Sequence, residues 1–91
     1  MLKVRRTGKY EKMFRILVFR DPKHVALVDK KIKLFLKNPL DTRLRSHKLI
    51  RHMKGKCAFS ITDDIRIVYK WQGRNIVRFL AIGTHPEVYK K

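Results

Sequence analysis

Apolar residues at Tyr10, Met13, Phe14, Leu17 and Val18 recur at i, i+3, i+4, i+7 and i+8, the spacing of one helical face. Thr7 stands where its hydroxyl can cap the first turn. Arg20-Asp21-Pro22 interrupts the pattern and predicts a second helix, with Asp21 as N-cap and Pro22 at the first helical position. Its apolar stripe is Val25, Val28, Ile32, Phe35 and Leu36. Asn38-Pro39 ends it, because proline disfavours helical geometry in the residue before it.

The second half changes period. Cys57, Phe59 and Ile61 alternate with Ala58, Ser60 and Thr62, as in a half-buried strand. Thr62-Asp63-Asp64 reads as a turn, and Ile65, Ile67, Tyr69 and Trp71 then alternate with Arg66, Val68 and Lys70. Gln72-Gly73-Arg74-Asn75 is a hairpin turn, where glycine is free to take positive φ. The strand from Ile76 to Ile82 is nearly all apolar, which places it in the sheet interior. The basic stretch from Leu44 to Lys54 is a connector or edge strand. The expected architecture is α+β: two N-terminal helices packed on one face of a three- to four-stranded antiparallel sheet. All of residues 1–91 form a single domain, since the length suits one modest core and no second one.

Composition narrows the class. With 24 Lys plus Arg against 7 Asp plus Glu, the formal net charge is +17. At 44% hydrophobic residues the chain is too apolar for a disordered basic tail. Its apolar runs, such as Ile16-Leu17-Val18-Phe19, fall far short of the ~18 residues of a membrane span. The start Met1-Leu2-Lys3-Val4-Arg5-Arg6 lacks the apolar stretch of a secretory signal, so a cytoplasmic location is expected. Cys57 is alone and has no internal disulfide partner. The basic residues spread from Lys3 to Lys91, with no basic arm beyond Lys90-Lys91. Such a charge suits a polyanion, because each phosphate that Lys or Arg neutralises releases counterions. It also suits an acidic protein partner. A membrane surface is disfavoured, since no segment pairs a basic face with a broad exposed apolar one.

Few residues carry chemistry. Of the four histidines, His24 reads as a surface residue, His47 and His52 lie in the basic connector, and His85 follows the last strand. A loop at a strand end is a common place for a catalytic group, because the sheet holds it rigidly. Arg66 projects from the face opposite Ile65, Ile67 and Tyr69, and that face is either a solvated surface or a concave site. Lys54 and Lys56 fit a solvated turn or a position near the same histidines. Metal and phosphate-loop motifs are absent from the sequence, so neither metal nor cofactor is expected.

The segments Met53-Lys54-Gly55-Lys56-Cys57-Ala58-Phe59-Ser60-Ile61, Asp64-Ile65-Arg66-Ile67-Val68-Tyr69 and Ile82-Gly83-Thr84-His85-Pro86-Glu87-Val88-Tyr89 resemble the RelE/ParE toxin superfamily. The resemblance is closest to its YafQ-like branch of messenger RNA interferases, the toxins of type II toxin–antitoxin systems. It implies a metal-independent endoribonuclease acting on messenger RNA at the ribosome and silenced by an acidic antitoxin. Residue by residue, it makes His85 the C-terminal catalytic histidine and Tyr89 the aromatic that orients base or phosphate. Arg66 becomes the arginine on the scissile phosphate and Asp64 an acidic site residue. His47 falls near an upstream histidine of that branch, with His52 competing for the place. Arg51, His52, Lys54 and Lys56 are then RNA-binding residues. Ser60 stands where the branch often has a second histidine, which leaves the division between acid and base open. The rival readings are a non-catalytic ParE-like gyrase inhibitor and a basic ribosomal-RNA-binding protein.

Overall fold

The computed structural model describes residues 2–89, so Met1, Lys90 and Lys91 lie outside the account that follows. Strand β1 (Lys3–Arg6) leads into helix α1 (Gly8–Arg20), and a 3-10 turn at Pro22–His24 leads into α2 (Val25–Lys37). After a 3-10 turn at Thr42–Leu44 come the two-residue strand β2 (His47–Lys48) and a third 3-10 turn at Arg51–Met53. The chain closes with β3 (Cys57–Ser60), β4 (Ile65–Trp71), β5 (Ile76–Thr84) and the single-turn helix α3 (His85–Val88). The sheet order is β1-β5-β4-β3-β2.

The α+β architecture with two main helices stands, but the sheet has five strands and is mixed. The basic opening supplies the extra strand: β1 runs parallel to β5, with Val4 beside Val77. Periodicity could not find it. Four residues at a sheet edge bury one side of a single apolar residue, and edge strands tolerate charge because it discourages pairing with other chains. The basic connector contributes an edge strand only at His47 and Lys48, antiparallel to β3.

Thr7 caps α1 as expected, its hydroxyl accepting from Tyr10 N–H at 3.1 Å. The same hydroxyl donates to the Phe79 carbonyl at 3.0 Å, tying the start of α1 to β5. The second helix begins later than Asp21-Pro22 implied. Asp21 makes no side-chain cap bond, and Pro22–His24 form a 3-10 turn before α2. Its buried face is accordingly rotated. Val28 and Phe35 are buried and Leu27, Ile32 and Leu34 pack against the core, whereas Val25 and Leu36 are exposed.

The main core lies between the helices and one sheet face. Phe35 is fully buried there, 4.7 Å from the Phe59 ring and 4.9 Å from the Tyr69 ring, centroid to centroid. Ile65, Ile67 and Tyr69 face this side. Val68, Ala58 and Ala81 face the other, where Met53 and Val88 cover them in a second small cluster. Arg66 alternates with Ile65 and Ile67 and so shares that second face. It is there that the chemistry collects.

Candidate active site

Strand β5 ends at Thr84 and delivers His85 at once into α3. The turn is held by Glu87, whose carboxylate accepts from the Thr84 N–H at 2.8 Å and the Thr84 hydroxyl at 2.9 Å. Arg20, at the end of α1, donates to both Glu87 oxygens at 3.3 Å. Gly83 packs closely beside it: a Cβ there would lie 2.8 Å from Glu87 Oε1, so the carboxylate would have to shift out of the clamp. The Thr84 N–H, followed by the Arg20 guanidinium, holds the Glu87 carboxyl below the ordinary glutamate range against a smaller effect of burial.

This clamp has a testable pH signature. A lowered folded-state pKa contributes stability above the unfolded value, and the contribution is lost as pH falls through the folded one. Glu87→Gln is therefore expected to melt below wild type at about pH 7 and to converge with it as the pH falls through the lowered folded-state value, beneath the ordinary glutamate range. Melting curves across that range check it, and a constant offset at every pH would contradict the assignment.

Tyr89 follows α3 and is the centre of the site. The His85 ring meets it edge-on at 4.4 Å between centroids, and the Arg66 guanidinium carbon lies 5.9 Å from the Tyr89 ring centroid. Arg66 is half-buried, with one terminal nitrogen donating to the Asp63 carbonyl at 3.0 Å. Arg66 Nε and the Tyr89 hydroxyl are both buried, and neither has a hydrogen-bond partner among the described residues. Buried donors are normally satisfied, so two orphans on neighbouring side chains are candidates for an outside acceptor. Ser60 is buried and paired in register with Arg66 from β3.

His47, Leu49, His52, Met53, His85 and Tyr89 line one cleft of about 350 Å³. Both connector histidines thus reach the site, from different elements. His47 Nδ1 lies 3.2 Å from the Arg45 carbonyl, so in the neutral ring that nitrogen donates and Nε2 keeps its lone pair. His52 Nε2 lies 3.3 Å from the Tyr89 carbonyl and donates to it. Arg51 turns the chain ahead of His52 with φ at 60°, a left-handed conformation that non-glycine residues rarely adopt.

The remaining residues sit farther out. Asp64 is exposed in the turn between β3 and β4 and does not line the cleft, although the pairing of Ile65 with Thr84 puts it at the same end of the sheet. Arg51 and Lys54 line a neighbouring groove with Trp71, towards β2, and Lys56 lies between that groove and the open sheet face. Sequence reasoning missed Glu87 and Arg20 as supports of the site. The signal was present, since Thr84-x-x-Glu87 is a capping-box pattern.

Comparison with known proteins gives the family and the fold. A model of the bacterial toxin YafQ of type II toxin–antitoxin systems matches residues 2–90. The fold is similar to that of YafQ from E. coli strain BL21(DE3), at 20% identity and TM-score 0.79, covering 98% of this chain and 99% of that one. A copper-bound mutant toxin from Helicobacter pylori is 26% identical, with TM-score 0.78 over 98% of this chain and 100% of that one. A YoeB/ParE toxin from Agrobacterium tumefaciens has TM-score 0.78 at 19% identity, covering 92% of this chain and 99% of that one. No curated protein matches the sequence. With the family match running through nearly every residue, the chain belongs to the YafQ family of bacterial toxins of type II toxin–antitoxin systems.

Proposed function

We propose that the protein is an endoribonuclease that cuts messenger RNA on the ribosome. The observation that carries this reading is the pair of buried, unpartnered donors on Arg66 and on Tyr89, whose ring the His85 ring touches. A phosphate oxygen seated there would satisfy both, and the planar guanidinium suits two-oxygen contact.

The cut follows from ordinary RNA chemistry. His47 Nε2 takes the proton of a ribose 2′-OH, and that oxygen attacks the adjoining phosphate. Arg66 stabilises the charge that builds on phosphorus, and protonated His85 gives its proton to the departing 5′ oxygen. The products are a 2′,3′-cyclic phosphate and a free 5′-OH. His47 is favoured over Asp64 as the base because it lines the cleft with His85, and over His52 because His52 is engaged with the Tyr89 backbone. These side chains complete the sequence of proton transfers without a metal ion.

The E. coli relative forms a DinJ–YafQ complex. An acidic antitoxin is the corresponding partner here, since +17 is a charge that such a chain can cover. The purified protein added to a translating extract should produce cyclic-phosphate messenger ends within ribosome-bound codons. The His85→Ala variant should produce none. Equal ends from both proteins, or inhibition of DNA gyrase in place of cleavage, would sink the reading.

A further inference from the structure

A second cleft, of about 480 Å³, opens on the same sheet face. Val68, Leu80, Ala81 and Val88 line it together with the cations Lys9, Lys56, Lys70 and Arg78. Lys70 and Arg78 are direct cross-strand partners, and Arg5 on β1 is the next partner of Arg78. Three cations therefore stand in one row across β4, β5 and β1, and like charges directly opposite one another oppose sheet formation. None of the three is in an ion pair with any described residue. None of the 7 acidic residues lines this cleft or the one that holds His85. The two clefts share His52 and Met53, so they are adjoining parts of one trough.

We infer that this second cleft is the bed for the single-stranded RNA that flanks the cut. The inference rests on the nuclease reading and extends it to a substrate subsite. Cations on successive strands, about 4.8 Å apart, meet the backbone phosphates, and the aliphatic surface between them receives bases without reading their edges. A repeated row of cations facing no acid, in one trough with the cleft that holds His85, suits a polyphosphate chain better than one carboxylate side chain. The contacts are with backbone and base faces, so the subsite adds affinity for strand length and no sequence preference.

The test is binding of a fluorescein-labelled single-stranded RNA of about 20 nucleotides to the His85→Ala protein, with and without Lys70→Gln and Arg78→Gln, from about 50 to 200 mM salt. Removing two phosphate contacts should weaken binding and make the slope of log affinity against log salt shallower by about 1.4, at roughly 0.7 per contact for single strands. Both substituted side chains are exposed, and matching melting curves show that the fold is kept. Unchanged affinity and slope would overturn the subsite. So would weakened binding of a poly-glutamate peptide with RNA binding unaltered, because the occupant would then be an acidic protein. Cleavage by the wild-type protein is scored separately. If it fails while the slope still changes, the nuclease reading falls and the RNA-binding cleft remains.

Discussion

Arg66→Lys is expected to slow messenger cleavage by about 10²–10³-fold while leaving the melting temperature near that of wild type. The size follows from the role: one fixed donor aimed at developing charge in a water-poor site is commonly worth that much. Lysine keeps the charge but loses the fork. In Arg66 one arm of the fork is spent on the Asp63 carbonyl at 3.0 Å, which fixes the plane, while buried Nε remains for the phosphate. A lysine ammonium can make either contact but cannot hold one while aiming the other. The guanidinium face beside Tyr89 is lost as well. The measurement is single-turnover cleavage of ribosome-bound messenger at saturating protein, which isolates the chemical step from docking. A rate within about tenfold of wild type would mean that another cation bears the phosphate charge.

The largest expected effect on stability belongs to Phe35→Ala. Phe35 is fully buried, and its ring touches partners from three strands: Phe59, Tyr69 and Phe79. Truncating such a residue removes its transfer free energy and leaves a cavity, at a cost of about 3–5 kcal/mol. A domain of this size is stable by only about 0.05–0.15 kcal/mol per residue, so the change consumes much of the total. The melting temperature should fall by roughly 15–30 °C, since each kcal/mol moves a small domain by about 4–8 °C. Leu40→Ala is the matching control. Leu40 is 85% exposed, and its loss should alter stability by less than about 0.5 kcal/mol. A fall of under about 5 °C for Phe35→Ala would show that the aromatic cluster closes over the gap.

Both predictions depend on residues whose importance was unequally visible in the sequence. The period-2 alternation of Ile65-Arg66-Ile67 separated the core face from the face that carries Arg66, because side chains in a strand must alternate. The helical stripe identified Phe35 for a similar reason. It misjudged Val25 and Leu36, because a 3-10 turn at Pro22–His24 takes up the first residues and shifts which side of α2 meets the sheet. His85 was recognisable from its placement after an apolar strand and from the family resemblance, and Tyr89 from the resemblance alone. Their ring contact at 4.4 Å was not, since it depends on the single turn of α3 held by Glu87 and Arg20.

The basic connector was the hardest segment to read. Its residues share one charge and no periodicity, and they diverge in space. His47 enters the sheet edge, His52 reaches the Tyr89 carbonyl, and Arg51 and Lys54 line the groove beside Trp71. The cations Lys70, Arg78 and Arg5 show the reverse case. They are far apart along the chain and become neighbours only through the register of β4, β5 and β1.

Local sequence settled the identity of the helices and central strands, the alternation of faces along each central strand, and the excess of positive charge. Those properties follow from spacing along the chain, where a period of 3.6 or 2 leaves little choice. Tertiary structure decided that a four-residue basic strand closes the sheet in parallel with its last strand. It also decided that His47 and His52 share a cleft with His85, that Asp64 stays outside it, and that three cations share one row. These depend on strand register and on long-range pairing, which no local pattern encodes, because the free energy that selects them comes from burying surfaces brought together by the whole chain.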